Sequence, residues 1–199
     1  AAFYFTRTDK LILATIFTSP AVSTRLIGLA IIPALTINFR NHKKLILLFF
    51  QISLLPLLLY ILFQDIKFQS SFSFLSNEYL WSRNFSFPLY PVLGSIKLIF
   101  LNIFSLEKVI NPLINLLFFI GAFIGLLFSF KKLHPSYSIY YLISLFMPLF
   151  SGTLVSIPRY ILVIFPVFIL MGLIKNELLQ KIGIILFILL LATLAIFYT

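Results

Sequence analysis

Cysteine is absent from all 199 residues. That excludes disulfide frameworks, thiol chemistry and cysteine-based metal sites. Histidine is nearly as scarce: only His42 and His134 are present, each close to lysines, which argues against a zinc or haem protein. The carboxylates are Asp9, Asp65, Glu78, Glu107 and Glu177. No two of them are spaced for an acid–base partnership. There is no glycine-rich phosphate loop and no nucleophile motif, and no metal or cofactor is evident. Charged residues are 10% of the chain, against about 25% in a typical soluble domain, so this chain could not cover its own surface in water.

What is abundant is apolar. Hydrophobic residues make up 61% of the chain and the mean hydropathy is +1.12. A bilayer, acting as an apolar solvent, suits such a chain. The net charge of +10 does not imply nucleic acid. The basic residues form no single face. They fall in small groups between apolar runs, as in the loops that orient a membrane protein.

A spanning helix needs about 20 mostly apolar residues. Residues 45–63 qualify, with a kink expected at Pro56. Residues 113–130 qualify, entered through Asn111-Pro112. Residues 137–150 form a shorter run that extends through Gly152. Residues 157–174 qualify, with Pro158 in the first turn and Pro166 inside, and 182–198 form the last span. None shows the alternation of a barrel strand. The fold class expected is all-α: a polytopic transmembrane helix bundle with some short, broken helices. The whole chain, 1–199, reads as one transmembrane domain. No leader pattern is visible at residues 1–8, and the opening apolar residues look like the tail of an earlier stretch, so the chain is expected to be the C-terminal portion of a longer protein.

Orientation follows the basic loops. Arg40, Lys43 and Lys44 precede the 45–63 helix, Lys131 and Lys132 follow the 113–130 helix, and Lys175 and Lys181 lie between the last two. Alternate crossings place all three groups on one side, which is then cytoplasmic, and put the 64–111 connection and the 151–156 turn outside. Residues 11–39 are interrupted by Ser19-Pro20 and Arg25, with basic residues at both ends. They read as two short helices, about 11–18 and 24–38, meeting near 19–23. The alternative is one tilted helix with a buried arginine. The long outer loop interleaves Phe68, Phe72, Phe74, Tyr79, Trp81, Phe85, Phe87 and Tyr90 with polar residues, and 92–104 read as an interfacial helix with Lys97 toward headgroups. Asn84-Phe85-Ser86 fits a glycosylation acceptor pattern, a match that is common by chance.

Two arginines stand out. Arg159 lies in Ser156-Ile157-Pro158-Arg159-Tyr160, at the outer mouth of an otherwise uncharged helix. Arg25 lies in Ser23-Thr24-Arg25-Leu26-Ile27-Gly28, at the proposed outer turn. Arginine at the centre of a span costs about 2.5–3.5 kcal/mol on insertion scales. It is kept where it snorkels or holds an anion, and guanidinium grips phosphate in a bidentate fashion. A helix start would add free N–H groups. Arg159, with Arg25 and Arg83, is therefore a candidate grip on the phosphate of a lipid-linked substrate. Ordinary snorkelling to phospholipid is the competing explanation.

These contexts resemble a family. Ser156-Ile157-Pro158-Arg159-Tyr160, followed by Phe165-Pro166-Val167-Phe168, resembles the late outer-turn motif of membrane-embedded C-type glycosyltransferases. The similarity is to the group related to the second mannosyltransferase of glycosylphosphatidylinositol synthesis. Ala14 through Thr24-Arg25-Leu26-Ile27-Gly28 resembles that group's short helix leading to Thr-Arg. Trp81-Ser82-Arg83 before Pro88 resembles its outer-loop Trp-x-Arg. The resemblance covers most of the chain, on short motifs. It implies transfer of a sugar, often mannose, from a polyprenyl-phosphate donor to a lipid or protein acceptor on the outer or lumenal face, with inversion. It further implies that Arg159, Tyr160 and Arg25 bind donor phosphate, and that Trp81, Arg83 and Glu78 shape the sugar or acceptor site. The family's catalytic aspartate has no match here, and Glu78 does not occupy its motif position. A multi-pass protein of a bacterial or archaeal plasma membrane, or of the endoplasmic reticulum, is what the resemblance implies. Two other classes fit the sequence: a lipid-linked saccharide flippase or transporter segment, and a non-catalytic membrane subunit.

Overall fold

The structure is a computed structural model and describes residues 1–24, 26–37, 43–69 and 85–197. Among these residues every regular element is helical. Ala2–Arg7 forms α1 and Leu11–Thr24 forms α2. A 3-10 turn at Leu26–Ala30 leads to α3, Ile31–Thr36. The long α4 covers Lys43–Phe68. Leu89–Leu101 is α5, Leu106–Lys132 is α6 and Pro135–Phe146 is α7. A second 3-10 turn, Met147–Ser151, precedes two short helices, α8 (Ile157–Ile161) and α9 (Pro166–Gly172). Glu177–Phe197 is α10.

The N-terminal half packs α2 against α4 through Ala14, Thr18, Val22, Phe49 and Ser53, all buried. Small side chains let apolar helices approach closely. The hydroxyls of Thr15 and Thr18 donate to the carbonyls of Leu11 and Ala14, at 2.8 and 2.7 Å. Their polarity is satisfied within their own helix, without a partner across the interface.

The 11–39 segment is broken, as expected, but not at 19–23. The first helix runs through Pro20 and ends at Thr24. Pro20 and Ile16, whose carbonyl loses its acceptor role there, both lie on the exposed face, so the helix continues past the proline. The chain then turns back on itself. Gly28 lies so close to Ala21 that a Cβ there would collide with the Ala21 carbonyl, which is why only glycine fits. Ala30 and Ala34 then bury against Tyr140 of α7, joining the two halves.

The helix expected at 113–130 begins earlier, at Leu106. Pro112 forfeits only the bond to the Lys108 carbonyl, in an exposed opening stretch. The Asn115 amide donates to the Asn111 carbonyl at 2.9 Å. The helix expected at 92–104 is α5, and residues 102–104 belong to the turn that follows it. There Ser105 N donates to the Asn102 carbonyl at 2.7 Å, and Asn102 Nδ2 to the Leu98 carbonyl at 3.0 Å. Pro91 and Ser95 face α6, making α5 and α6 a helical hairpin. The run 157–174 is not one helix: residues 162–165 separate α8 from α9.

The C-terminal core gathers Ala122 and Leu126 of α6, Tyr141 and Leu145 of α7, Leu149 and Leu154 of the following turn, and Ile157, Ile161 and Ile164. Two helices among the described residues are long and apolar enough to cross a membrane, Leu48–Phe68 of α4 and Leu106–Lys132 of α6. Only 17% and 22% of their most apolar windows are buried. The core helix of a water-soluble domain would be mostly covered.

Candidate functional site

The residues around Arg159 are shaped by backbone constraint. Gly152 and Ser156 both take left-handed conformations, with φ of 78 and 68°. These two reversals turn the chain sharply from the end of α7 into α8. The segment before α5 is tied to the same place. Ser86 N donates to the Phe150 carbonyl at 3.0 Å, and the rings of Phe85 and Phe150 stack with centroids 5.6 Å apart. The 85–88 stretch and the 147–161 stretch therefore form one end of the bundle.

Arg159 is exposed at this end and Tyr160 is half-buried. Both make interactions within the chain. The expectation that the helix start would add free N–H donors for an anion is not met. α8 has only five residues. Ile157 N already donates to the Leu154 carbonyl at 3.2 Å, Arg159 N donates to the Ser156 carbonyl at 3.0 Å, and Pro158 has no N–H. What this end presents to an anion is the guanidinium itself.

Below it lies the break between α8 and α9. Pro166 cannot donate to the Leu162 carbonyl, and the chain between them is held by tighter bonds: Val163 N to Tyr160 O, 3.1 Å, and Phe165 N to Val163 O, 2.9 Å. The Val163 carbonyl receives a second donor, the Tyr140 hydroxyl at 3.1 Å. Irregular backbone at membrane depth persists only where protein or a cavity supplies such partners. Around this point Phe3, Tyr137, Tyr140 and Phe165 close into an aromatic cluster, each ring 5.2–5.6 Å from its neighbours. The rings pack on one another. Sequence analysis singled out none of these tyrosines. Their only signal is a spacing of three residues on α7, which places them on one face.

A second feature lies between α6 and α9. A groove of about 680 Å³ is lined by Ile114, Leu117, Gly121, Phe128, Leu170 and Ile174, with Lys132 at one end. Ile161 of α8, two residues beyond Arg159, also lines it, and the groove was not foreseen from the sequence.

Of the six residues singled out in advance, the structure places Arg159 and Tyr160 side by side in sequence on α8. Arg25, Glu78, Trp81 and Arg83 lie outside the described residues. So do Arg40, His42, Phe72, Phe74, Tyr79 and Asn84. No family model, curated protein or solved structure matches this chain.

Proposed function

We propose that this chain crosses a membrane several times and forms the donor-binding, C-terminal part of a glycosyltransferase that uses a polyprenyl-phosphate sugar. The acceptor is reached on the outer face. The observation that carries this reading is the Ser86–Phe150 hydrogen bond, at the start of the stretch that leads to Arg159. It draws the turn bearing Arg159 and Tyr160 to the same end as the segment that directly follows Glu78, Trp81 and Arg83 in the sequence. That contact supports the grouping that the family resemblance implies. The exposed apolar surfaces of α4 and α6 support the membrane placement, since monomeric soluble proteins rarely expose contiguous apolar patches beyond a few hundred Å².

In this reading the chain's own contribution is positioning and charge. Arg159 holds the phosphate of the donor through two parallel N–H···O bonds. As the sugar departs, negative charge grows on that phosphate, and a fixed cation favours the state in which it has developed. Tyr160 supplies a hydroxyl next to the same phosphate. Arg25 assists, and Trp81, Arg83 and Glu78 shape the space for the sugar or the acceptor.

The test is sugar transfer by the full-length protein in membranes. Arg159→Ala should lower transfer roughly 10- to 100-fold, as expected when a charge-assisted bond of about 1.5–3 kcal/mol is lost. Arg159→Lys should recover only part of it, because lysine keeps the charge but not the planar fork. Full activity in a well-folded Arg159→Ala protein would overturn the proposal.

A further inference from the structure

The groove between α6 and α9 has a wall of unusual uniformity. Its lining is apolar throughout, except for Lys132 and the hydroxyl of Tyr141. That hydroxyl is already committed, donating to the Ala122 carbonyl at 2.6 Å. Apart from Lys132, no lining side chain offers a free donor to a sugar, a nucleotide or a peptide. A hydrocarbon chain loses nothing there.

The groove has a direction. Ile114 and Lys132 are both on α6, so it extends roughly 27 Å at about 1.5 Å of rise per residue. That is close to the ~30 Å hydrocarbon thickness of a bilayer. Lysines gather at the end where Lys132 lines the groove. Lys131 and Lys132 close α6. Phe165 packs on Tyr137 and Tyr140, at the start of α7, so α9 carries the chain onward to the same end. Lys175 follows Ile174, the last lining residue. The nearest acid in sequence, Glu177, is paired with Lys181 at 3.6 Å. A volume of about 680 Å³ is within the ~300–1,000 Å³ typical of small-molecule sites.

We propose that this groove holds a hydrocarbon chain of an anionic phospholipid, with the lipid phosphate at Lys132. An apolar wall calls for the tail. A lysine in the lining, with Lys131 beside it, calls for an anionic head, and the charge favours a net negative headgroup over a zwitterionic one. The proposal rests on the membrane placement given above, and not on sugar transfer.

Gly121 offers a clean way to close the groove. It lines the wall, and a Cβ built there meets nothing within 4 Å. Gly121→Leu therefore fills the groove without a backbone clash. Gly125 would not serve, since a Cβ there comes within 2.7 Å of the Tyr141 hydroxyl.

The experiment reconstitutes the full chain in phosphatidylcholine bilayers with a trace of chain-spin-labelled lipid and reads the motionally restricted component. Labelled phosphatidylglycerol should be held at least about threefold more strongly than labelled phosphatidylcholine, a modest fold-change of the kind one lysine near an anionic headgroup supplies. Lys132→Gln should lower that preference measurably. Gly121→Leu should remove about one restricted lipid per protein for both labels, with unchanged far-ultraviolet circular dichroism. Equal retention of the two lipids by the unaltered protein would overturn the proposal. So would a phosphatidylglycerol preference undiminished by Lys132→Gln, or an unchanged number of restricted lipids in Gly121→Leu. A chain that does not enter bilayers at all would overturn the membrane placement together with the groove's occupant. Loss of transfer in Arg159→Ala bears on neither result.

Discussion

At Gly125, the absence of a side chain and the presence of a hydroxyl depend on each other. Tyr141 is fully buried and reaches across to the Ala122 carbonyl. It can do so because Gly125, next along the same face of α6, leaves room, with only 2.7 Å between a would-be Cβ and the hydroxyl oxygen. Gly125→Ala should therefore destabilise by about 1–3 kcal/mol, as overpacking does. Tyr141→Phe should cost about 1 kcal/mol for the lost bond. The double variant should lose less than the two costs added, because phenylalanine removes the atom that alanine strikes. Denaturation midpoints of the four proteins in detergent would show it, and strict additivity would refute the coupling. None of this was legible in sequence. A glycine in an apolar helix looks the same whether it borders open space, as Gly121 does a turn away, or a tyrosine.

Among the elements, α4 and α6 were the most legible, because a long uninterrupted apolar run admits few other structures. The residues just before them were less so. The start of α6 was placed seven residues late, because Asn111-Pro112 reads as an entry point, whereas the helix passes through it in an exposed stretch. Whether α4 faces lipid can be checked directly. Leu58 lies near the middle of the apolar part of α4 and is 54% exposed. In a bilayer, Leu58→Lys should oppose insertion by about 2.5–3.5 kcal/mol. On a water-exposed surface the same change should stay within about 0.5 kcal/mol. An insertion assay that shows no difference would exclude α4 as a span.

For the whole molecule, sidedness is the property to test, and the lack of cysteine makes this practical. Val155, in the turn before Arg159, and Lys131, at the end of α6, are both exposed. In sealed cells, Val155→Cys should react with an impermeant maleimide, and Lys131→Cys should react only after permeabilisation. Labelling of both from one side would overturn the proposed topology. The two ends also differ in how they were found. The basic clusters announce one end in the sequence itself. The other end is assembled by Ser86 and Phe150, which are distant in the chain and carry no charge, so no local pattern could have paired them.

The sequence alone determined that the chain is helical, that it is too apolar to cover itself in water, and that two of its long runs, in α4 and α6, lie in helices of membrane-crossing length. Those are properties of composition and of the length of apolar segments, which act residue by residue. Only the tertiary structure decided where the helices stop. Pro56 and Pro166 are the same residue in equally apolar surroundings, yet α4 passes through the first and the chain restarts at the second. At Val163 the Tyr140 hydroxyl reaches the backbone carbonyl from another helix, so a broken chain is satisfied there. A proline removes one bond wherever it stands. Whether the helix yields depends on a partner brought from elsewhere, and that partner is set by packing.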